Sequence, residues 1–406
     1  MSNKKYLVVL GDGMADEPQE SLQGRTPLEA ASTPNLDKLA KTAEQGTLIT
    51  VPPGFPAGSD VANLSVFGYD PARYYTGRAP LEAASMGIDL EPDDVAFRCN
   101  LINILQYEGR GYMHDFSAGH IDTAEAGKII EQLNLEMGSE QLHFYAGVSY
   151  RHLMVIKNCP VELADIKLVP PHDISGQEII DHLPADPGSP IHHLMMSSQM
   201  VIYRLPFIRE KMEKGEVTAN SIWLWGQGKK PRLDSFAERF GCSGVVVSAV
   251  DLLKGIGICA GLEAVEVPGA TGYLDTNYEN KVRYTLDSLK EHDFVYLHLE
   301  APDEASHEGS LEKKIQAIED LDRRVIGPLV EGLREFSGFR MAVLPDHPTP
   351  IRTKTHSSGP VPYLLYDSEN GQTGPYKEYC EATAAGAGND WREGWRFMEH
   401  LINKKS

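Results

Sequence analysis

Three acidic residues each follow a short apolar segment of the chain. Asp12 comes after the sequence YLVVLG, Asp303 after FVYLHLEAP and Asp346 after MAVLP. Apolar segments without polar alternation are typical of buried parallel strands, and open parallel sheets bind ligands beyond the carboxyl ends of their strands. One such aspartate is commonplace, because aspartate also caps the following helix. Three of them indicate a ligand site at one edge of a sheet.

Histidines lie close to two of these aspartates. His307 follows Asp303 by four residues. His347 is adjacent to Asp346, and His356 follows in the sequence KTHS. Mixed carboxylate and imidazole ligands suit Mn²⁺, Zn²⁺ or related ions, and the three aspartates and three histidines are too many for one tetrahedral ion. They predict a two-metal site, which clamps the attacking and leaving oxygens of a phosphoryl transfer. Each histidine taken singly could instead be a solvated or capping residue.

A nucleophile for such a transfer is available in the segment PAGSDVANLS, residues 56–65. Proline and glycine favour a tight turn, and Ser59 then opens a helical pattern. At a helix start, backbone N–H groups and the helix dipole favour an incoming phosphate, and metal coordination would activate the hydroxyl without a dedicated histidine base. The alternative is that Ser59 is an ordinary helix cap.

Strands and helices must alternate along the chain to position these side chains. The clearest buried strands are predicted at 6–10, 245–247, 294–299 and 341–344. A helix is predicted to start with Thr33 as its cap and Pro34 in its first turn, and to end before Gly46. This alternation at both ends of the chain favours an α/β fold with a mostly parallel sheet flanked by helices.

The middle of the chain has a different composition. It is rich in histidine and proline before a segment at 199–203 that resembles a strand, and the sequence WLWGQG at 223–228 indicates a return to the core. We therefore predict a discontinuous core domain, residues 1–104 and 216–406, interrupted by an inserted α+β domain at 105–215. The sequence PLEAAS occurs at both 27–32 and 80–85. It is too short for a structural repeat and indicates two similar helix starts.

The overall charge limits the classes of partner. The 406 residues include 58 acidic and 38 basic residues, giving a formal net charge of −20. Binding to nucleic acid or an anionic membrane requires a basic surface, so neither is expected. The net charge says little about a small anionic substrate, because two divalent ions would add four positive charges locally. No sequence feature assigns an oligomeric state.

The first residues predict a cytoplasmic protein. The apolar run that starts at Tyr6 is too short for a signal sequence and has no small-residue cleavage site after it, and no stretch approaches the length of a membrane span. The five cysteines are scattered, without a C-x-x-C pair. They are expected to be reduced thiols in the core.

These motifs together resemble those of the cofactor-independent phosphoglycerate mutases. The matching motifs run in order along essentially the whole chain: GDGM at 11–14, GSDVAN at 58–63, FGYDP at 67–71, GRAPLEA at 77–83, Asp303-x-x-x-His307, Asp346-His347 and THS at 355–357. The likeness is closer to the shorter, archaeal-type branch of that family, within the alkaline phosphatase superfamily. It implies an alkaline-phosphatase-like core with an inserted cap domain.

The resemblance also implies roles for individual residues. It makes Ser59 the nucleophile that carries the phosphoryl group. One metal ion would be bound by Asp12, Ser59, Asp346 and His347, and the other by Asp303, His307 and His356. The ions would be Mn²⁺ first, with Zn²⁺, Co²⁺ or Mg²⁺ as alternatives, and no 2,3-bisphosphoglycerate would be needed. The family's inserted domain holds the substrate's anionic groups with basic residues, for which the candidates are Arg98, Arg151, Lys254 and Arg283.

The implied reaction is the interconversion of 3-phosphoglycerate and 2-phosphoglycerate in glycolysis and gluconeogenesis. The Ser59 alkoxide would attack phosphorus, and the glycerate would reorient under a closed cap before taking the phosphoryl group on its 2-hydroxyl. Water must be excluded to separate a mutase from a phosphatase. Three alternatives stay open: a phosphotransferase acting on homoserine, a metal-dependent phosphatase, and a degenerate member that only binds a partner. The last would be expected to have lost metal ligands, and none is missing.

Overall fold

The computed structural model describes residues 4–370 and 374–402 and divides the chain into two units. The larger unit takes the residues up to Tyr75 and from Arg232 onwards, and the smaller unit is Thr76–Pro231. The strands of the described residues are, in chain order, β1 (Lys5–Gly11), β2 (Glu44–Ile49), β3 (Val95–Tyr107), β4 (Arg110–Asp115), β5 (Leu142–Tyr145), β6 (Arg151–Ile156), β7 (Ser221–Lys229), β8 (Gly244–Val247), β9 (Glu263–Val265), β10 (Phe294–Leu299), β11 (Phe339–Leu344), β12 (Pro360–Asp367) and β13 (Asp390–Trp391).

Helices precede or follow most of these strands. The α-helices are α1 (Pro27–Ala30), α2 (Pro34–Ala40), α3 (Ser59–Val66), α4 (Pro71–Tyr74), α5 (Ala79–Ser85), α6 (Thr123–Met137), α7 (Val161–Ala164), α8 (Pro190–Tyr203), α9 (Pro206–Glu213), α10 (Phe236–Phe240), α11 (Asp251–Cys259), α12 (Tyr278–Glu291), α13 (Ala301–Glu308), α14 (Leu311–Asp320), α15 (Gly327–Gly332), α16 (Glu381–Gly386) and α17 (Phe397–Ile402). A π-helical segment, Leu321–Ile326, joins α14 to α15. Short 3₁₀ turns occur at Glu20–Leu22, Pro171–Ile174, Ile179–His182, Leu333–Glu335 and Gly394–Arg396.

The larger unit contains, within the described residues, a sheet of eight strands. Its order is β13-β2-β12-β11-β1-β10-β8-β9. The strands from β11 to β9 are parallel, and β12 is antiparallel to both of its neighbours. The predicted α/β class with a mostly parallel sheet is therefore confirmed, and all four predicted strands are present as β1, β8, β10 and β11.

The apolar character of these four strands follows from their burial on both faces. Leu7 on β1 pairs with Val295 on β10 and with Met341 on β11, and all three side chains are fully buried. Helices supply Leu36, Ile318 and other apolar side chains to the same cluster. Each such side chain contributes about 1.5–3 kcal/mol when it leaves water. The centre of the sheet is therefore held by apolar burial on both faces, and it carries the strand ends where the predicted site lies.

The smaller unit has its own sheet and core. Strand β3 is central: its first half pairs with β6 and β7, and its second half pairs with β4, all antiparallel, while β5 pairs with β6. Phe97, Ile129 and Trp223 are among the buried side chains of its apolar cluster.

The limits of the smaller unit differ from the predicted insertion at 105–215. The observed unit, Thr76–Pro231, includes all of β3 and β7. Both strands would belong to the predicted core, but β3 also pairs from Val95 to Asn100 with β6, which lies inside the predicted insertion. Boundaries at 104 and 216 would therefore divide this sheet between β3 and β6. The segment 223–228, predicted as a return to the core, is part of β7 in this sheet.

Two local predictions also differ from the structure. The prediction of a strand at 199–203 is wrong, because that segment is the end of α8, whose residues Ile191, Met195 and Ile202 bury one face at helical spacing. Helix α2 begins with Thr33 and Pro34 as predicted, but it ends at Ala40 because β2 already starts at Glu44. The two PLEAAS segments do start helices, α1 and α5, as predicted.

The described residues include no helix that is both long and apolar enough to cross a membrane. Four of the five cysteines are buried, namely Cys99, Cys159, Cys242 and Cys380. Burial raises the pKa of the Cys159 and Cys242 thiols to about 11. The burial of four cysteines agrees with the expected core positions, and their reduced state stays a prediction.

Candidate active site

The three aspartates predicted from the strand ends lie at the same edge of the larger unit's sheet. Asp12 directly follows β1, Asp346 follows β11 by two residues, and Asp303 lies in the first turn of α13 after β10. Strands β10, β1 and β11 are neighbours and parallel, so their carboxyl ends come together. All three carboxylates are buried. The cost of burying three like charges in one place is high unless a cation balances them.

Ser59 is the first residue of α3, with Gly58 at the cap position. Its Oγ lies 3.1 Å from Nε2 of His347. The same nitrogen is 3.2 Å from Oδ2 of Asp346. Asn63, one helical turn after Ser59, donates from its amide to Asp346 Oδ2 at 2.8 Å and to the Ser59 carbonyl at 2.9 Å. The serine hydroxyl is thus held beside one carboxylate and one imidazole.

Asp12 completes this first group of candidate ligands. Ligand atoms of Asp12, Asp346 and His347 all lie within 4.8 Å of one another. Oδ1 of Asp12 is 3.7 Å from His347 Nε2 and has no hydrogen-bond partner among the described residues although it is buried. Burial, and then the charges of Asp346, Asp303 and Glu300, hold the pKa of Asp12 well above its usual value. A buried oxygen without a partner, aimed at other ligand atoms, fits a divalent cation.

Thr349 fixes the proton on the His347 ring. The Thr349 hydroxyl donates to Asp303 Oδ1 at 2.6 Å, and its oxygen lies 3.1 Å from Nδ1 of His347. Because the hydroxyl proton goes to Asp303, Nδ1 of His347 must be the donor to Thr349. Burial lowers the pKa of His347, so the ring is neutral and Nε2 carries a lone pair. That lone pair faces Ser59 and can bind a cation or accept the hydroxyl hydrogen.

The second group contains Asp303, His307 and His356. Oδ2 of Asp303 lies 3.0 Å from His307 Nε2 and 3.5 Å from His356 Nε2, and the two nitrogens are 3.0 Å apart. Nδ1 of His307 lies 2.9 Å from the carbonyl oxygen of Lys354, which turns Nε2 toward Asp303.

Burial and charge act in opposite directions within this second group. Burial alone would raise the pKa of Asp303, but hydrogen bonds from His307 and His356 hold it well below its usual value. Burial would lower the pKa of His307, and Asp303 raises it to about 9. His347 lies between the two groups, because a ring nitrogen of His347 is also within 4.8 Å of ligand atoms of Asp303 and His356. The seven residues predicted for the nucleophile and the metal ligands therefore form one continuous cluster.

The sequence reasoning missed several residues that hold this cluster. His298, fully buried in β10, contacts Asp12 Oδ2 through Nε2 at 2.8 Å. Burial, and then the charge of Lys281, lowers the pKa of His298 to about 3. Tyr296 donates to Oδ1 of Asn63 at 2.6 Å. A histidine inside an otherwise apolar strand could have indicated His298 from the sequence. The position of Asn63, one helical turn after the candidate nucleophile, is a weaker indication.

Two of the four basic candidates, Arg98 and Arg151, belong to the smaller unit, and Arg98 is held there by an acidic residue. Arg98 on β3 is buried, and its Nε lies 2.8 Å from Glu82 of α5. Burial lowers the pKa of Arg98 to about 10. Arg78 binds the other oxygen of Glu82 at 3.0 Å. Burial would raise the pKa of Glu82, but the charges of Arg98 and Arg78 hold it below its usual value.

The other three basic candidates have different surroundings, and two of them belong to the larger unit. Arg151, at the start of β6, is exposed, and its guanidinium lies 5.6 Å from the Tyr150 ring. In the larger unit, Lys254 pairs with Glu266 at 2.6 Å, and Arg283 donates to Asn280 at 3.2 Å on the exposed face of α12. The observed partners of Lys254 and Arg283 do not belong to the seven-residue cluster.

A serine at a helix start, beside carboxylate and imidazole groups at the carboxyl edge of a mostly parallel sheet, defines an α/β enzyme suited to phosphoryl transfer. The chain belongs to the family of 2,3-bisphosphoglycerate-independent phosphoglycerate mutases, in its archaeal-type branch. A model of that family matches residues 40–205. The chain is 53% identical to a probable enzyme of this name from Geobacter sulfurreducens, covering 98% of this chain and 100% of the relative.

A further relative and two solved structures resemble the chain over most of its length. The enzyme of the same name from Methanosarcina acetivorans is 52% identical and covers 90% of this chain and 91% of its own. The solved PH0037 protein from Pyrococcus horikoshii superposes with a TM-score of 0.82 at 28% identity, covering 100% of this chain and 99% of the other. The cofactor-independent phosphoglycerate mutase from Thermoplasma acidophilum gives 0.63 at 26% identity, covering 98% and 99%.

Proposed function

We propose that the protein interconverts 3-phosphoglycerate and 2-phosphoglycerate through a phosphoserine at Ser59. The observation that carries this proposal is the position of Ser59 Oγ, which lies 3.1 Å from the His347 Nε2 nitrogen. His347 belongs to the same group of candidate ligands as Asp12, whose buried Oδ1 has no hydrogen-bond partner among the described residues. The names of the relatives support the reaction, and the cluster supports its route.

We further propose that the cluster holds two divalent cations. Asp12, Ser59, Asp346 and His347 would bind one, and Asp303, His307 and His356 the other. Carboxylate and imidazole groups favour Mn²⁺, with Zn²⁺, Co²⁺ and Mg²⁺ as alternatives. When bound, such ions stabilise negative charge on the oxygens of a transferring phosphoryl group. The phosphoryl donor is the substrate itself, so no 2,3-bisphosphoglycerate is required.

The chain's own groups then carry the transfer. Ser59 loses its hydroxyl proton and its oxygen forms a bond to phosphorus while the bond from phosphorus to the 3-oxygen of the substrate breaks. That oxygen takes up one proton, which balances the proton lost by Ser59, and the product of this half-reaction is glycerate. The backbone N–H groups in the first turn of α3 (Ser59–Val66) favour the phosphoserine. In the second half, the 2-hydroxyl of glycerate attacks phosphorus, its proton is released, and Ser59 regains a hydroxyl hydrogen.

Arg98 and Arg151 are proposed to bind the anionic groups of the substrate. Both are in the smaller unit, where the guanidinium group of Arg98 stacks on the Trp225 ring, with its central carbon 4.3 Å from the ring centroid. The smaller unit would act as the cap predicted for residues 105–215. Lys254 and Arg283 stay predictions, as does a cytoplasmic location.

The decisive experiment compares two serine variants on the same helix. Ser59→Ala removes the proposed nucleophile, and Ser65→Ala is the matched control, because Ser65 is buried on α3. Conversion of 3-phosphoglycerate is followed with Mn²⁺ and without added 2,3-bisphosphoglycerate, and the protein is examined by mass spectrometry for one added phosphoryl group. The wild type and Ser65→Ala are expected to be active and to show phosphoserine, and Ser59→Ala neither. Near-normal turnover of Ser59→Ala would overturn the proposal.

The same assay separates the competing functions. Release of inorganic phosphate without 2-phosphoglycerate would indicate a phosphatase. No turnover of 3-phosphoglycerate, together with ATP-dependent phosphorylation of homoserine, would indicate the phosphotransferase.

A further inference from the structure

His298 links Asp12 to a chain of hydrogen bonds outside the seven-residue cluster. It is fully buried in β10. Its Nε2 lies 2.8 Å from Oδ2 of Asp12, and its Nδ1 lies 3.1 Å from Oγ of Ser248, just beyond β8. The chain therefore runs from a backbone loop, through a hydroxyl and an imidazole, to one oxygen of a candidate metal ligand.

The positions of the protons in this chain follow from the groups at its two ends. The backbone N–H of Val250 donates to Ser248 Oγ at 3.0 Å. This leaves the Ser248 hydroxyl hydrogen free for Nδ1 of His298, and the other end of the chain decides the direction: an ionised Asp12 carboxylate can only accept, so Nε2 of His298 donates to Oδ2 and Nδ1 accepts from Ser248. A neutral imidazole carries a single N–H, so the hydrogen of His298 is on Nε2. It is donated to Asp12 Oδ2.

Other groups hold the histidine in place. Lys281, fully buried on α12, donates to the His298 carbonyl oxygen at 3.1 Å. The Glu300 carboxylate lies 3.6 Å from Nε2, too far for a hydrogen bond of the quality that Asp12 accepts at 2.8 Å. Asp12 is therefore the principal acceptor of the His298 N–H.

The two oxygens of Asp12 have different surroundings as a result. Oδ2 is occupied by the His298 N–H, whereas Oδ1 has no hydrogen-bond partner among the described residues and faces His347 Nε2 at 3.7 Å. A carboxylate held by one oxygen offers the other in a fixed direction. Hydrogen bonds to metal-ligating groups from outside the ligand set commonly control metal affinity in this way.

We propose that His298 is a positioning residue that orients Asp12 so that Oδ1 alone faces the cation. Ser248 stabilises the tautomer that makes this possible by donating to Nδ1. The inference rests on the proposed metal site, but it does not depend on which substrate the enzyme uses.

A different role for His298 would be that of a direct ligand. Ligand atoms of Asp12, His298 and Glu300 lie within 4.8 Å of one another, so they could in principle bind a further cation. This would require the lone pair of His298 to be on Nε2. The hydrogen-bond chain through Ser248 places a hydrogen there instead.

The test measures metal affinity rather than turnover. Binding of Mn²⁺ to the full chain is titrated by calorimetry for the wild type, His298→Leu and His298→Gln. Leucine removes the donor, whereas the glutamine amide keeps an N–H that can reach Asp12. His298→Leu is expected to bind one Mn²⁺ about 10- to 100-fold more weakly, and His298→Gln is expected to recover most of that loss. Val295→Ala, a core truncation on the same strand, is the control and is expected to leave the affinity unchanged.

A second measurement keeps the inference falsifiable if His298→Leu does not fold. Nitrogen-15 spectra of the wild type loaded with diamagnetic Zn²⁺ report which ring nitrogen of His298 carries hydrogen. Nε2 is expected, and Ser248→Ala is expected to shift the population toward Nδ1 and to weaken Mn²⁺ binding. Hydrogen on Nδ1 in the wild type would overturn the inference, as would unchanged Mn²⁺ affinity in folded His298→Leu. Three ions per wild-type chain and two in His298→Leu would make His298 a ligand and also overturn it.

These outcomes are distinct from failure of the proposed function. An active Ser59→Ala variant would contradict the phosphoserine route, but it would not change the outcome of the Mn²⁺ titrations that compare the wild type with the His298 variants. A normal phosphoserine in a His298→Leu protein with wild-type metal affinity would contradict only the positioning role.

Discussion

The ammonium group of Lys314 donates to Oδ2 of Asp16 at 2.8 Å, and both side chains are completely buried. The same ammonium also donates to the carbonyl oxygens of Ala15 and Thr349. Asp16 lies four residues after Asp12 in the loop that follows β1, and the Thr349 hydroxyl donates a hydrogen bond to Asp303. One buried ion pair thus ties together the loops that carry ligands from both ends of the chain.

Removing the ammonium should destabilise the larger unit strongly. Lys314→Met leaves the Asp16 carboxylate buried without its partner, which typically costs about 3–5 kcal/mol. We expect a fall of this size in the free energy of unfolding, measured by denaturant titration. The matched control is Lys214→Met, which removes the lysine of an exposed ion pair with Glu210 and should not change stability measurably. A change in Lys314→Met as small as in the control would contradict the prediction.

The buried histidine of the smaller unit should make stability depend on pH. Burial lowers the pKa of His152 from 6.5 to about 4. The unfolded chain therefore binds a proton at pH values where the folded chain does not, so stability is full above pH 6.5 and falls as the pH drops toward 4. The loss from this one group is about 3 kcal/mol at 1.36 kcal/mol per pKa unit. Denaturant midpoints between pH 7 and 4 measure it.

His152→Asn tests this assignment. Nδ1 of His152 accepts the Gly147 N–H at 2.9 Å, and the asparagine carbonyl oxygen can replace that acceptor without titrating. The variant should be less stable at pH 7 because asparagine is smaller, but its stability should fall less between pH 6.5 and 4. His114→Asn, at an exposed position on β4, is the control. Equal pH dependence in the wild type and His152→Asn would refute the prediction.

The strand ends of the active site could be predicted because both faces of the central sheet are buried. Continuous apolar segments such as β10 have few other interpretations, and the aspartates that follow them must meet at one edge. The limits of the smaller unit could not be predicted in the same way. They depend on the pairing of Val95–Asn100 with β6, a strand that begins at Arg151, and no local pattern reports such a partner.

The supporting residues of the site show the same division. His298 could have been noticed, because a histidine in a strand of otherwise apolar and aromatic residues needs a polar partner. The role of Thr349 could not, because a threonine two residues after His347 is unremarkable until its hydroxyl is seen 2.6 Å from Asp303. The strand predicted at 199–203 was wrong because its five residues were too few to distinguish a strand from the last turns of α8.

Glu82 should affect substrate binding if Arg98 binds the substrate as proposed. Its two oxygens hold the Nε atoms of Arg78 and Arg98 at 3.0 and 2.8 Å, which sets the direction of both guanidinium groups. Glu82→Gln should raise the KM for 3-phosphoglycerate about tenfold, equivalent to 1.4 kcal/mol, with kcat changed less. Steady-state kinetics with varied substrate separates the two constants.

The repeated PLEAAS segment supplies the control for this variant. Glu29 occupies the same place in the first copy, where it forms a capping box with Thr26. Glu29→Gln should lower stability by about 1 kcal/mol or less and leave KM unchanged. If both variants change KM equally, or if Glu82→Gln lowers only kcat, then Glu82 does not orient a substrate-binding arginine.

Removal of divalent cations should destabilise the larger unit, because its aspartates then repel one another. Burial and the charges of Asp346, Asp303 and Glu300 already raise the pKa of Asp12, and a bound cation would reverse that effect. Treatment with a chelator should lower the thermal midpoint, and Mn²⁺ should restore it. At a free concentration one hundred times the dissociation constant, each site should add about 2.7 kcal/mol. Mg²⁺ should restore less at equal concentration, because imidazole ligands suit Mn²⁺ and Zn²⁺ better.

Two variants attribute this stabilisation to the cluster. Asp303→Asn removes one candidate ligand charge and should reduce the rise in thermal midpoint that Mn²⁺ produces. Asp287→Asn removes an exposed carboxylate of α12 and should leave the rise unchanged. Stabilisation by Mn²⁺ that is equal in all three proteins would mean that the ion binds elsewhere, because a ligand that stabilises the folded state must contact groups that only folding brings together.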